Sequence, residues 1–257
     1  MAFATFRGVI GAAAVLLALA APRPSAAEDS VDLRLVLAAD VSRSVDDREF
    51  RLQREGYAAA LLDPRVLSAI RSGPLRRIAV CFVEWSGASS QNLLIDWTVI
   101  GDDEAAGYFS DRLRKEPRSF ADRTAIGAGI DMAVAQFDRS GANSERRIID
   151  VSGDGTNNSG RPVTQARDDA VNAGITINGL VILSTEPMPW NPEHTHPPGG
   201  LAKYYEENVI GGPGAFLLVV EGFETFAEAM TSKLVREIAQ ANASSHSASS
   251  GGGAQAP

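Results

Sequence analysis

Cysteine is nearly absent from this chain: Cys81 is the one thiol in 257 residues. That excludes an intramolecular disulfide framework and any zinc site built from several thiolates. Histidine is scarce as well, with three residues, which leaves few ways to assemble a histidine-rich metal centre. A basic surplus is missing: 24 Lys+Arg against 32 Asp+Glu give a net charge of −8. A general nucleic-acid binder carries the opposite sign. What is left, 44% hydrophobic and 22% charged residues, is ordinary for a globular protein and excludes a collagenous, fibrous or wholly disordered chain.

Long hydrophobic runs are lacking too. The most apolar stretch, Val9-Ile10-Gly11-Ala12-Ala13-Ala14-Val15-Leu16-Leu17-Ala18-Leu19, falls short of the roughly 20 residues that span a bilayer, and Pro22 and Pro24 follow it. Arg7 precedes it, and Ser25-Ala26-Ala27 places small residues at a cleavage site. Residues 1–27 are therefore expected to be a secretory signal peptide rather than an anchor. No arginine pair stands ahead of the run, which favours the general secretory route, and Cys81 is too distant to carry a lipid. The expected location is periplasmic or secreted. Cleavage after Ala27 leaves 257 − 27 = 230 residues and, with Arg7 and Arg23 gone, a charge of −8 − 2 = −10. That length suits one α/β domain burying roughly 70% of its unfolded surface. Ala243-Ser244-Ser245-His246-Ser247-Ala248-Ser249-Ser250-Gly251-Gly252-Gly253 is low in complexity, so 242–257 is expected to be a flexible tail and 28–241 the folded unit.

Within that unit, buried-type strands alternate with helical patterns. Leu33-Arg34-Leu35-Val36-Leu37-Ala38-Ala39 reads as a parallel strand ending at Asp40. Residues 45–62 read as a helix stopped by Asp63-Pro64. Residues 77–85 and 91–98, joined through Ser86-Gly87-Ala88-Ser89-Ser90, read as a hairpin with an antiparallel edge strand. Helices are expected near 102–114 and 124–138, then a strand at 147–152, a helix near 162–173, strands at 175–183 and 216–220, and a helix over 223–241. The order predicts a three-layer α/β/α sandwich around a mainly parallel sheet.

In such sheets, sites form where loops leave the carboxyl ends of the strands. Asp40-Val41-Ser42-Arg43-Ser44 follows the first strand, Gly153-Asp154-Gly155-Thr156 follows the central one, and Thr124 starts a helix. Together they offer two carboxylates and three hydroxyls with no nitrogen or sulfur, a set suited to a hard cation such as Mg²⁺. Taken singly, these residues are common turn formers and helix caps.

The combination Asp40-x-Ser42-x-Ser44, Thr124, Asp154-Gly155 resembles the metal-ion-dependent adhesion site of von Willebrand factor A-type domains, in that family's order. The strand–helix alternation is similar over about residues 31–241, and the chain resembles a bacterial group of single-domain A-type proteins bearing signal peptides. The resemblance implies that Ser42, Ser44 and Thr124 supply hydroxyl oxygens to Mg²⁺ or Mn²⁺. Asp40 and Asp154 would hold metal-bound waters and orient the hydroxyls. The open position would take a Glu or Asp of a protein partner. The chain departs from the family's Thr-Asp-Gly at Ser152-Gly153-Asp154-Gly155, and Asp150 stands inside the strand, either as a buried paired residue or as a replacement for Asp154.

Other features have modest roles. Ile126-Gly127-Ala128-Gly129-Ile130 holds a fragment of a dinucleotide glycine pattern at a helix start, where it does not predict nucleotide binding. Cys81 is expected in the core, and Trp85 and Trp97 along the hairpin edge. The segment 184–198 carries Trp190, His194, His196 and five prolines. It reads either as a partner-selecting loop at the metal face, whose deletion would spare metal affinity, or as a plain connection; two histidines alone make a weak metal site. The leading expectation is a protein-binding module and no enzyme. The alternatives are a cell-envelope hydrolase, for which no G-x-S-x-G turn exists, and an accessory domain without metal.

Overall fold

The computed structural model describes Met1 and residues 30–250, with side chains as far as 239. Apart from Met1, the expected signal peptide lies outside the described residues, as does 251–257. Among the described residues no helix is long and apolar enough to cross a membrane.

Among the described residues six strands form one sheet: β1 (Arg34–Asp40), β2 (Ile78–Trp85), β3 (Gln91–Ile100), β4 (Arg147–Gly153), β5 (Thr176–Leu183) and β6 (Leu217–Glu221), in the spatial order β3-β2-β1-β4-β5-β6. All neighbours pair in parallel except β2 and β3, the hairpin at the edge. The three-layer sandwich with one antiparallel edge strand is as the sequence predicts. Successive residues of β1 alternate between two cores. Leu35 and Leu37 face the core of helices α1 (Asp47–Leu62), α2 (Pro64–Arg71), α3 (Asp103–Lys115) and α8 (Phe226–Ser250). Val36 and Ala38 face the core of α4 (Ile126–Arg139), α5 (Val163–Asn172) and α7 (Leu201–Asn208). A short α6 (Pro192–Thr195) interrupts the loop after β5.

Helix α1 starts in a capping box: Asp46 accepts from the backbone N–H groups of Arg48 and Glu49, and Glu49 accepts in return from the N–H of Asp46. Asp63-Pro64 ends α1, but it also starts α2. Proline lacks the N–H that a first helical residue leaves unbonded anyway, and the Asp63 side chain accepts from Arg65 N at 2.8 Å. Helix α8 continues through 242–250, residues expected in the tail; their Ala and Ser content is compatible with helix, and the glycine run begins at Gly251. Trp97 does pack along the hairpin edge against Phe137, donating from Nε1 to Gln136 O at 2.9 Å. Trp85 instead is fully buried under α4. A Cβ at Gly129 would lie 2.6 Å from its indole, so this glycine permits helix–sheet contact.

The chain leaves β1 for β2 on one side of the sheet and β4 lies on the other side of β1. The strand order therefore reverses beside the carboxyl ends of β1 and β4, where Asp40 and Gly153 stand.

Candidate metal centre

The loop after β1 is bent back on itself. Asp40 Oδ1 accepts from Ser42 N at 2.7 Å, and Arg118 clamps the loop from outside, its Nη2 donating to the carbonyls of Val41, Ser42 and Val45 at 2.8, 2.7 and 2.9 Å. These bonds turn the Ser42 and Ser44 hydroxyls towards β4. Thr124 comes in on the segment ahead of α4, held by Asn158: Thr124 N donates to Asn158 Oδ1 at 2.9 Å, and Asn158 N donates to Thr124 O at 2.8 Å.

All five predicted residues meet there. Thr124 Oγ1 donates to Ser42 Oγ at 3.1 Å, the Ser42 and Ser44 hydroxyls are 3.0 Å apart, and Ser44 Oγ donates to Asp154 Oδ1 at 2.7 Å. Asp40 and Ser42 are fully buried, and Thr124 and Asp154 nearly so. The turn after β4 is shaped by its glycines. A Cβ at 153 would lie 2.4 Å from Tyr205 Oη and 3.2 Å from Asp40 Oδ2, which explains glycine where the resembling family has threonine. Tyr205 Oη in turn donates to Gly155 O at 3.2 Å.

Asp150 sits elsewhere. Its side chain points to the α8 face, where Lys233 Nζ lies 2.6 Å from Asp150 Oδ1 and 2.7 Å from Glu237 Oε1. Of the two alternatives open for Asp150, the geometry has the buried pair, and Asp154 is the acid at the rim.

The rim carboxylates have an uncommon environment. Neither Asp40 nor Asp154 forms an ion pair among the described residues, and the buried Asp40 Oδ2 has no hydrogen-bond partner there. Burial, reinforced by the neighbouring Asp154, pushes the Asp40 carboxyl well above the usual carboxylate range. Burial likewise pushes Asp154 up to about 6, against the pull of the Ser44 hydroxyl. Among the described residues no three His, Cys, Asp or Glu side chains gather as a ligand cluster, so the donors here are chiefly hydroxyls. An orphaned, buried carboxylate oxygen among hydroxyl oxygens fits a hard divalent cation.

Two participants were not foreseen. Arg118 had no signal beyond being one arginine among many. His194 reads in the sequence as part of a loop and, with His196, as a weak metal pair, yet it is buried with Nε2 3.2 Å from Thr124 Oγ1, and burial lowers its basicity. A cleft of about 380 Å³ opens beside the centre, lined among others by Ser44, Thr124, His194, Arg43, Arg123 and Trp190. Arg43 and Arg123 are exposed and make no ion pair among the described residues, and Trp190 is 73% exposed.

The profile of a family described as "Protein of unknown function (DUF1194)" matches residues 30–242. No curated protein matches. Solved structures of similar fold include proximal thread matrix protein 1 from the mussel byssus, with TM-score 0.59 and 15% identity, covering 82% of this chain and 49% of that one. A form of the same protein described as having a zinc-occupied MIDAS motif aligns with TM-score 0.55 and 16% identity over 82% and 48%. A von Willebrand factor type A protein from Catenulispora acidiphila aligns with TM-score 0.54 and 14% identity over 81% and 43%. The chain spans about half the length of these proteins or less, and the likeness is one of fold.

Proposed function

This chain belongs to the DUF1194 family and has a von Willebrand factor A-type fold, and from that premise we propose that it is an exported protein-binding module with a divalent-cation site. Asp40, Ser42, Ser44, Thr124 and Asp154 hold Mg²⁺ or Mn²⁺, and an acidic residue of a protein partner completes the contact. One observation carries this reading: two buried acids converge on three hydroxyls and neither forms an ion pair among the described residues, the nearby Arg118 being spent on loop carbonyls. Buried negative charge without a partner is costly, and a cation from solution supplies the missing counter-charge. A divalent ion held mostly by neutral oxygens keeps enough charge to attract a carboxylate. Two further points support the reading. The structural neighbour described with zinc in its MIDAS motif has the same fold, and unpaired Arg43 and Arg123 line the cleft where an acidic segment would lie. Export rests on the leader-like residues 1–27, and the module carries out no reaction of its own.

Calorimetric titration of Mg²⁺ and Mn²⁺ tests the site. Asp40→Ala, Thr124→Ala and Asp154→Ala should each lower affinity by on the order of 10–100-fold with the fold retained by circular dichroism. Unchanged affinity in all three variants would remove the assignment. A pull-down from the native envelope, with and without chelator, then tests the partner.

A further inference from the structure

The 184–198 segment reaches the candidate centre through one side chain. His194 is 3% exposed, and its imidazole lies against the turn after β4 so closely that a Cβ at Gly155 would sit 2.2 Å from the ring. The backbone joins as well, with Thr156 N donating to His194 O at 2.9 Å.

The hydrogen bonds around the ring fix where its proton sits. On one side, Asn158 is oriented by Thr124 N, which donates to Oδ1; the amide Nδ2 therefore faces His194 Nδ1 at 3.4 Å and offers it a hydrogen. Thr156 Oγ1 lies 3.3 Å from the same Nδ1 and, as a hydroxyl, can donate or accept there, so the donor-only amide of Asn158 decides: Nδ1 accepts, and Nε2 carries the proton of the neutral ring. On the other side, Thr124 spends its only hydroxyl hydrogen on Ser42 Oγ. Thr124 Oγ1 can then only accept from His194 Nε2, at 3.2 Å. Two independent arguments give one direction. The proton order runs from His194 Nε2 to Thr124, to Ser42, to Ser44 and onto the Asp154 carboxylate, each hydroxyl accepting once and donating once. Each hydroxyl oxygen keeps one lone pair, and the separations of 2.7–3.2 Å along the chain match the roughly 3 Å between adjacent ligands of an octahedral ion at 2.0–2.1 Å.

We propose that His194 is a positioning residue of this centre: it heads the hydrogen-bond chain, presets the three hydroxyls for one cation, and couples docking of the 184–198 loop to occupancy of the site. The inference rests on the metal-binding reading above and extends it to a residue that reading leaves out. Coupling of this kind is reciprocal: what the loop adds to ion binding, the ion returns to loop docking. It also reverses an expectation from the sequence, since deleting 186–196 removes His194 and should weaken metal binding rather than spare it.

The experiment titrates Mn²⁺ into the full mature chain and into His194→Ala and His194→Gln, with thermal melts of each metal-free protein and hydrogen exchange of the 184–198 backbone with and without Mn²⁺. His194→Ala should bind Mn²⁺ 10–100-fold more weakly, the loss typical of outer-shell partners. His194→Gln keeps a donor near the place of Nε2 and should recover most of the affinity. Mn²⁺ should slow exchange in the loop of the wild-type protein and not of His194→Ala. Wild-type binding with undiminished affinity in His194→Ala overturns this proposal and leaves the metal site standing. No Mn²⁺ binding by the wild-type protein overturns both. A glutamine variant as weak as the alanine one overturns the donor role. If His194→Ala does not fold, wild-type exchange decides: loop protection gained with Mn²⁺ upholds the coupling, and identical exchange refutes it.

Discussion

On the α8 side of the sheet, Asp150 and Glu237 share Lys233; at the carboxyl ends of β1 and β4, Asp40 and Asp154 have hydroxyls and a backbone N–H for partners and no ion pair among the described residues. All four acids are buried. The inner group has a resident cation and further support, with Asn178 Nδ2 donating to Glu237 Oε1 at 2.8 Å. One lysine between two acids still leaves an excess of negative charge, and burial pushes Asp150 up to about 7 against the attraction of Lys233. Glu84, the other fully buried acid of the sheet, is paired with Arg54. Where the fold needs buried acids for its own architecture, the chain provides their counter-charge. At the rim it provides lone pairs, an arrangement that makes sense when the positive charge arrives from outside.

The contrast predicts substitutions of opposite sign. Lys233→Met should destabilise the protein by about 3–5 kcal/mol in urea titrations, because it strands two acids in a dry core. Adding Asp150→Asn and Glu237→Gln to the same chain should recover most of that loss; a loss that persists would mean Lys233 acts by packing rather than by charge. At the rim, Asp154→Asn should stabilise the metal-free protein, by at most about 3 kcal/mol above pH 6, while weakening Mn²⁺ binding on the order of 10–100-fold. The sign follows from the folded pKa, raised from 3.8 to about 6. Such a group favours the folded state while protonated, and that contribution is lost as pH rises through about 6. The gain from Asp154→Asn should accordingly fade as the pH falls from 6 towards 4. A destabilised Asp154→Asn protein at pH 8 without metal would erase the distinction between the two regions.

Much of this arrangement is legible in the chain because it depends on local patterns. Apolar runs followed at once by Asp40 and Gly153-Asp154 mark strands that end at a rim, and three spaced hydroxyls point to the same place. What escaped was decided by contacts between distant segments. Pro64 reads as a stop because proline ends helices; whether it also begins one depends on the Asp63 cap, which asks where that side chain turns. Trp85 looks like an edge residue until Gly129 lets α4 approach it. His194 carries no local mark, since Thr124 and Asn158, which orient its ring, lie 70 and 36 residues away. Asp150 and Asp154 could be told apart only by alternation along β4, which turns one to α8 and leaves the other beyond the strand end.

The smallest effect concerns the arginines of the cleft. Arg43 and Arg123 stand near the rim acids without pairing to them, and in the proposed function they serve an incoming carboxylate rather than the resident ones. Arg43→Ala and Arg123→Ala should each weaken capture of an acidic partner about two- to fivefold, mainly through slower association. Because both side chains are exposed, the loss should disappear near 1 M salt, where the screening length falls to about 3 Å. Mn²⁺ affinity should stay within about twofold of the wild type, since neither guanidinium touches the hydroxyls or acids. Surface plasmon resonance of the captured partner at low and high salt, beside calorimetry of the metal, separates the two quantities. Loss of Mn²⁺ binding in either variant would place these arginines with the cation site, and the division between charges kept for the fold and charges kept for a partner would have to be redrawn.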